Sequence, residues 1–194
     1  MKFIALILLF FLQTSYGATL ENYLKGIDSL YVSFEEQMEL PVAGDEVSLY
    51  RGEIFYKRPL KFLWRYTWGS KAFVVSDGEF IETFLGDGEC QVSKVNEGLS
   101  LFPLLQIVEF PNRIREFYSV KEMEGDSESL FVLKPKRGDS LFSRVELLFK
   151  GNVLKEVVTF QSDGTKQVYL IKVFKKNIKI PDSLFRLKKC EEPG

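Results

Sequence analysis

Three Asp-Gly pairs, Asp77-Gly78, Asp87-Gly88 and Asp163-Gly164, cut the chain into short runs rich in Val, Ile, Phe and Tyr, and this punctuation restricts the fold more than any other feature. Asp and Gly tolerate the positive φ of tight hairpin turns, so each pair marks a reversal between antiparallel strands. Gly151-Asn152 marks another. The runs predict strands near 31–40, 47–57, 61–68, 71–76, 79–85 and 89–95, then near 117–124, 129–134, 143–149, 153–161, 166–174 and 184–189. Several alternate cleanly: Val145, Leu147 and Phe149 oppose Arg144 and Glu146, while Phe62, Trp64, Tyr66 and Trp68 oppose Lys61, Arg65 and Thr67. Strands of that kind bury one face. About a dozen of them in one continuous antiparallel sheet must curl.

Two segments break the pattern. Leu20, Tyr23, Leu24, Ile27 and Leu30 recur at helical spacing behind Thr19, a candidate N-cap, which predicts an opening amphipathic helix. Between Pro103 and Pro111 only Gln106 and Glu109 are polar. Pro103 suits the first turn of a helix and Pro111 disfavours helix at Phe110, so at most about eight residues there are helical. A helix that short is marginal alone and needs an apolar partner, for which the aromatic face of the curled sheet is the natural candidate. Set between two proline breaks, it is also a candidate moving part.

At the N-terminus Lys2 precedes an unbroken apolar run from Phe3 to Leu12, followed by Ser15-Tyr16-Gly17. This reads as a cleaved secretory signal peptide, residues 1–17, leaving one domain, residues 18–194. The apolar run is about half the roughly twenty residues that cross a bilayer. Position 18 is Ala, not the Cys that a lipoprotein acylates. Loss of Lys2 with the leader takes the formal net charge from −1 to −2. There is no basic excess to neutralise phosphates, and nucleic acid is not an expected partner.

The chain contains no His, which removes Ser-His and Cys-His nucleophile pairs and the commonest zinc ligand. No metal and no cofactor is expected. Enzyme activity is the last choice; it would need a two-carboxylate site such as Asp77 with Glu82, and acidic residues here are expected mostly in turns or on solvated strand faces. The two cysteines, Cys90 and Cys190, would meet an oxidising compartment after export, where a disulfide is favoured over two buried thiols. Such a bridge closes a loop of about 100 residues, for which chain entropy gives on the order of 4–5 kcal/mol.

The stretch YKRPLKFLW, residues 56–64, places Arg58 by strand parity on the face of Ile54 and Tyr56. If that face is the inner one, the guanidinium enters an apolar interior where it cannot stay unpaired cheaply. Carbonyl oxygens left free at helix ends are the available acceptors. The alternative is an edge residue in a surface ion pair.

SLYVSFEEQ, GEIFYKRPLKFLW followed by VSDG, FPLLQIV, FVLKPK and FRLKKCEEPG run in this order from about residue 20 to the C-terminus. In this the chain resembles the LolA-type periplasmic carriers of outer-membrane lipoproteins. The resemblance implies a mainly β fold: a single curled antiparallel sheet of about 11–12 strands forming an incomplete, half-open β-barrel with a helical lid. Its apolar interior would take the acyl chains of lipoproteins carried from an inner-membrane ABC transporter to an outer-membrane receptor or to the membrane itself. By the same resemblance Arg58 would latch the lid and Phe62 would dock the transporter. Ile54, Tyr56, Trp64, Tyr66, Leu101, Phe102, Leu104, Leu105 and Val108 would line the cavity or, on the plainer reading, form an ordinary core. The carrier is expected to be monomeric, periplasmic and without enzymatic activity. The segment after GDGECQ departs from the family pattern, and the chain stops at Gly194 where some members continue, so no role of that extension is carried over. A same-fold outer-membrane receptor and a periplasmic lipid-sensing regulator are the rival readings; Ala18 argues against the first and the single domain against the second.

Overall fold

The computed structural model describes residues 19–41, 46–86, 88–138 and 140–188. The expected signal peptide, Asp87 and Cys190 lie outside the described residues. Six strands form a first meander: β1 (Ser29–Glu39), β2 (Val47–Lys57), β3 (Lys61–Trp68), β4 (Phe73–Asp77), β5 (Phe80–Phe84) and β6 (Cys90–Lys94). Five more form a second: β7 (Tyr118–Glu124), β8 (Glu128–Pro135), β9 (Phe142–Lys150), β10 (Val153–Gln161) and β11 (Lys166–Lys176). Antiparallel pairing of β1 with β11 merges them into one sheet, in the order β6-β5-β4-β3-β2-β1-β11-β10-β9-β8-β7. β6 and β7 are its two edges, so the sheet is half-open and not closed into a barrel.

The turns follow from their residues. Gly78 and Gly164 adopt φ of 101° and 93°, and the preceding aspartates brace the reversals: Asp77 Oδ1 accepts from the Glu79 and Phe80 N–H groups at 2.9 Å, and Asp163 Oδ1 from the Thr165 N–H at 2.9 Å. Alternation then sends one face of each strand inward. Leu30, Val32 and Phe34 of β1 join Ile54 and Tyr56 of β2, Phe131 and Leu133 of β8, and Val145 and Leu147 of β9 in one core. Because strands from both meanders share it, the sheet wraps around that core.

Several expectations are corrected. The opening helix, α1, covers only Leu20–Leu24, and the Thr19 side chain makes no cap bond. Gly26, at φ 74°, turns the chain, so Ile27 and Leu30 are buried as turn and strand residues instead. The expected twelfth strand near 184–189 is absent among its described residues. Pro181 has no N–H for a ladder, and residues 182–185 form a 3-10 turn. This stretch crosses the outer face of β3–β5, where Ile180 and Phe185 pack with Leu63, Val75 and Phe84 in a second core. Asp182 ties it down by accepting from Lys57 Nζ at 2.9 Å and Lys61 Nζ at 3.3 Å. Sheet parity puts Leu63 and Val75 on the face opposite Phe62 and Trp64, so here both faces are covered, not one. Trp68 leaves the aromatic series, 56% exposed beneath the Arg51 guanidinium. Nor are the acidic residues all solvated: Glu36 and Glu82 are fully buried and Glu109 nearly so.

Candidate functional site

Residues 95–117 connect the two sheet edges across the inner face. They comprise α2 (Val95–Gly98), a 3-10 turn at 99–101, α3 (Pro103–Glu109), a second such turn at 111–113, and α4 (Ile114–Phe117). Pro103 opens α3 and the helix ends before Phe110, within the limits set by its two prolines. Leu104, Leu105, Ile107 and Val108 are buried against the core of the sheet. That apolar contact stabilises a helix too short to persist alone.

The C-terminal end of α3 meets the β2–β3 turn. Arg58 donates from Nη1 to the Glu109 carbonyl at 2.6 Å, and from Nη2 to the Val108 carbonyl at 2.9 Å and the Ile27 carbonyl at 3.3 Å. Carbonyls in the last turn of a helix lack intrahelical partners and carry the negative end of its dipole, so a guanidinium satisfies both needs. Arg58 is thus on the inner side, about a third exposed, and not in a surface ion pair alone.

Sequence reasoning named such carbonyls as acceptors but missed the Glu109 side chain beside this arginine. The Glu109 side chain, 6% exposed, accepts through Oε2 from the Tyr56 hydroxyl at 2.7 Å and the Leu60 N–H at 2.8 Å, while Oε1 lies 3.5 Å from Arg58 Nη1. Burial, reinforced by the carboxylate, raises the Tyr56 phenol far above its ordinary range, so it stays a donor. Leu60 itself sits at φ 58°, a conformation disfavoured for a branched side chain, and its bond to Glu109 helps hold it. An available signal was the position of Glu109: an anion closing an apolar helix faces the negative end of the dipole and needs a cation or donors.

Between α3, the preceding turn and the sheet lies a cavity of about 300 Å³. Among the residues singled out from sequence, Ile54, Trp64, Tyr66, Leu101, Phe102 and Leu104 line it. Tyr56, Leu105 and Val108 do not line it; they are packed in the core between α3 and the sheet. Phe34, Tyr169 and Ile171 complete much of the apolar wall and were not anticipated. Trp64 stands 5.4 Å from Phe34 and 5.6 Å from Tyr169, edge to face. Phe62 is 1% exposed with its ring 5.6 Å from that of Phe102, so a partner reaches it only if residues 99–109 move. Cys90, on the edge strand β6, is disulfide-bonded. Asp77 is committed to its turn, and Glu82 is fully buried on β5.

The family profile described as Outer membrane lipoprotein carrier protein LolA matches residues 25–188. An outer-membrane lipoprotein carrier protein of Chromohalobacter salexigens is 28% identical over 155 residues, 79% of this chain and 73% of the relative. One of Pseudomonas fluorescens is 27% identical over 170 residues, 87% of this chain and 82% of the relative. The crystal structure of a DUF1329 family protein from Desulfovibrio piger superposes with a TM-score of 0.51 at 9% identity, covering 88% of this chain and 95% of its own, and bears on the fold alone.

Proposed function

The chain belongs to the outer membrane lipoprotein carrier protein family, LolA, and from that premise we propose that residues 18–194 form a periplasmic carrier that encloses the acyl chains of a lipoprotein between the sheet and the lid, residues 95–117. The observation that carries this reading is the apolar cavity of about 300 Å³ behind a helix tethered at one end by polar contacts. Each methylene withdrawn from water is worth about 0.8 kcal/mol, so an acylated protein needs an enclosed passage between membranes. The cavity is at the small end of the about 300–1,000 Å³ usual for ligand sites, which suits a closed, unloaded state that widens on loading.

Release is as necessary as capture. With the lid shut, Arg58 and Glu109 stabilise the empty carrier; loading opposes those contacts, and the difference lowers affinity enough for a tighter acceptor to take the cargo. Arg58 is the latch in this reading, and Glu109, Tyr56 and the Leu60 N–H are its counterpart. The cargo enters from an inner-membrane ABC transporter and leaves to an outer-membrane receptor or to the membrane. Phe62 becomes a docking residue only when the lid has moved. The carrier works as a monomer, and no covalent step is involved.

Native mass spectrometry of residues 18–194 incubated with lipoprotein-secreting spheroplasts tests this. A stoichiometric acylated partner on the wild type, retained longer by Arg58→Leu, is expected. No acylated partner on either protein defeats the carrier reading, and equal retention by both defeats the latch.

A further inference from the structure

The end of the cavity away from Arg58 is built differently. Leu85, Leu101 and Leu141 line the cavity yet remain 56%, 51% and 45% exposed, which marks this end as its mouth. In the wall, the lining residues of β3, β10 and β11 include the polar side chains Tyr66, Thr159, Gln161 and Gln167, and Glu36 of β1 bonds two of them. Glu36 continues the inner-face series of Leu30, Val32 and Phe34 and is fully buried. In register it meets Tyr50 and Tyr169, eight residues along the sheet from Asp28 beside the Arg58 turn, or roughly 25 Å at the rise of a strand.

The hydrogen bonds of this wall share one polarity. Glu36 Oε2 accepts from the Tyr66 hydroxyl at 2.6 Å, and Oε1 accepts from Gln167 Nε2 at 2.9 Å. The Gln167 oxygen is left to accept from Thr159 Oγ1 at 3.2 Å and Gln161 Nε2 at 3.1 Å. Tyr66, Thr159, Gln161 and Gln167 all line the cavity. The hydroxyls of Tyr66 and Thr159 and one N–H of each glutamine are thereby spent within the wall; one N–H remains on each glutamine, against the lone pairs of Thr159 Oγ1 and of the Gln161 amide oxygen, so acceptors outnumber donors. Burial, with Glu36 adding to it, holds the Tyr66 and Tyr169 phenols well above their usual range, so they remain protonated.

An amphiphile that buries its tails leaves the linkage to its polar portion at the mouth. We infer that this wall is a head-group subsite, selecting acylated cargo whose linkage beside the acyl chains is uncharged and offers hydroxyl or amide N–H donors, and rejecting carboxylate or phosphate heads. The inference rests on the reading above that the cavity takes acyl chains. It adds a chemical filter that the apolar wall cannot supply, since hydrocarbon contacts do not distinguish one head from another.

Isothermal titration calorimetry of residues 18–194 at pH 8, with 1-monooleoylglycerol and oleate each below its aggregation threshold, tests it, because the two share a tail and differ in head. Wild type should favour monooleoylglycerol by about tenfold or more, a difference of about 1.4 kcal/mol. Glu36→Gln should shrink that preference to about threefold or less. Gln161→Leu, at a half-exposed position that leaves Glu36 untouched, should weaken monooleoylglycerol several-fold and leave oleate unchanged. Equal binding of both heads by the wild type, or a full preference retained in both variants, overturns the subsite while leaving the carrier reading intact. Binding of neither amphiphile overturns both.

Discussion

Replacing Glu109 with Gln keeps the size of the side chain and one acceptor oxygen but removes the charge on which the lid contact depends. In the native protein Oε2 takes two short bonds, from Tyr56 and from the Leu60 N–H. Hydrogen bonds to a charged group contribute about 1.5–3 kcal/mol each and neutral ones about 0.5–1.5, so converting two of them costs about 2 kcal/mol. The Arg58 ion pair at 3.5 Å, with its cation a third exposed, adds less than about 1 kcal/mol after solvent screening. A total of about 2–3 kcal/mol raises the open-lid population about 30- to 150-fold. Hydrogen exchange reads this directly. The Gln106 and Phe110 amides bond to the Phe102 and Gln106 carbonyls, each at 3.0 Å, and a seven-residue helix released from the sheet does not hold such bonds. Their exchange should accelerate by that factor in Glu109→Gln, while amides near Leu133 and Val145 in β8 and β9 keep their wild-type rates. Unchanged lid exchange refutes the reasoning, and so does equal acceleration in those strands, which would make Glu109 a general stabiliser of the fold.

Gly52→Ala should cost about 1–3 kcal/mol in urea denaturation, because its Cβ would lie 2.8 Å from the Arg65 carbonyl and press on the Phe34 ring, itself confined by Trp64, Tyr66 and Tyr169; native stability would refute the overpacking. Burial raises the Glu36 carboxyl above its ordinary 4.5 despite the bonds from Tyr66 and Gln167, so the folded protein holds that proton more tightly than the unfolded chain does. The cost of keeping it ionised is therefore present above the folded pKa and disappears as pH falls toward 4.5, and the stability of the wild type relative to Glu36→Gln should improve over that fall. A difference independent of pH would contradict the sign. Cys90→Ser should lower stability by about 2–5 kcal/mol, matched by reduction of the wild type, whereas a wild type indifferent to reductant would refute a structural role for the bond.

The strands were legible because alternation and turn chemistry are local: β8 buries every second residue from Ser129 and β9 from Val145, and reversals fall at Asp77-Gly78 and Asp163-Gly164. Strand parity grouped Arg58 with Ile54 and Tyr56 but left its face open, because Phe55 on the other face is apolar too; the acceptors on α3 show it turned inward. What failed was non-local. Leu20 to Leu30 matched a helical period only because five apolar residues of a short helix, a turn and a strand happen to share that spacing. The C-terminal run alternates like a strand but finds its place through side chains laid across β3–β5, a surface no sequence window contains. Glu36 and Glu109 looked solvated because their partners are distant along the chain: Gln167 for the first, and Tyr56 and Leu60 for the second. A buried carboxylate is recognised by its donors, and those become visible only when the strands are paired.

Residues 95–117 leave one margin of the sheet at β6 and rejoin the other at β7, so the segment that plugs the cavity is also the strap between its two jaws. Spreading the jaws must tension the strap, and lifting the strap must slacken the jaws. In the proposed carrier, access and volume would therefore be one mechanical coordinate, with a bulkier load working against the same spring.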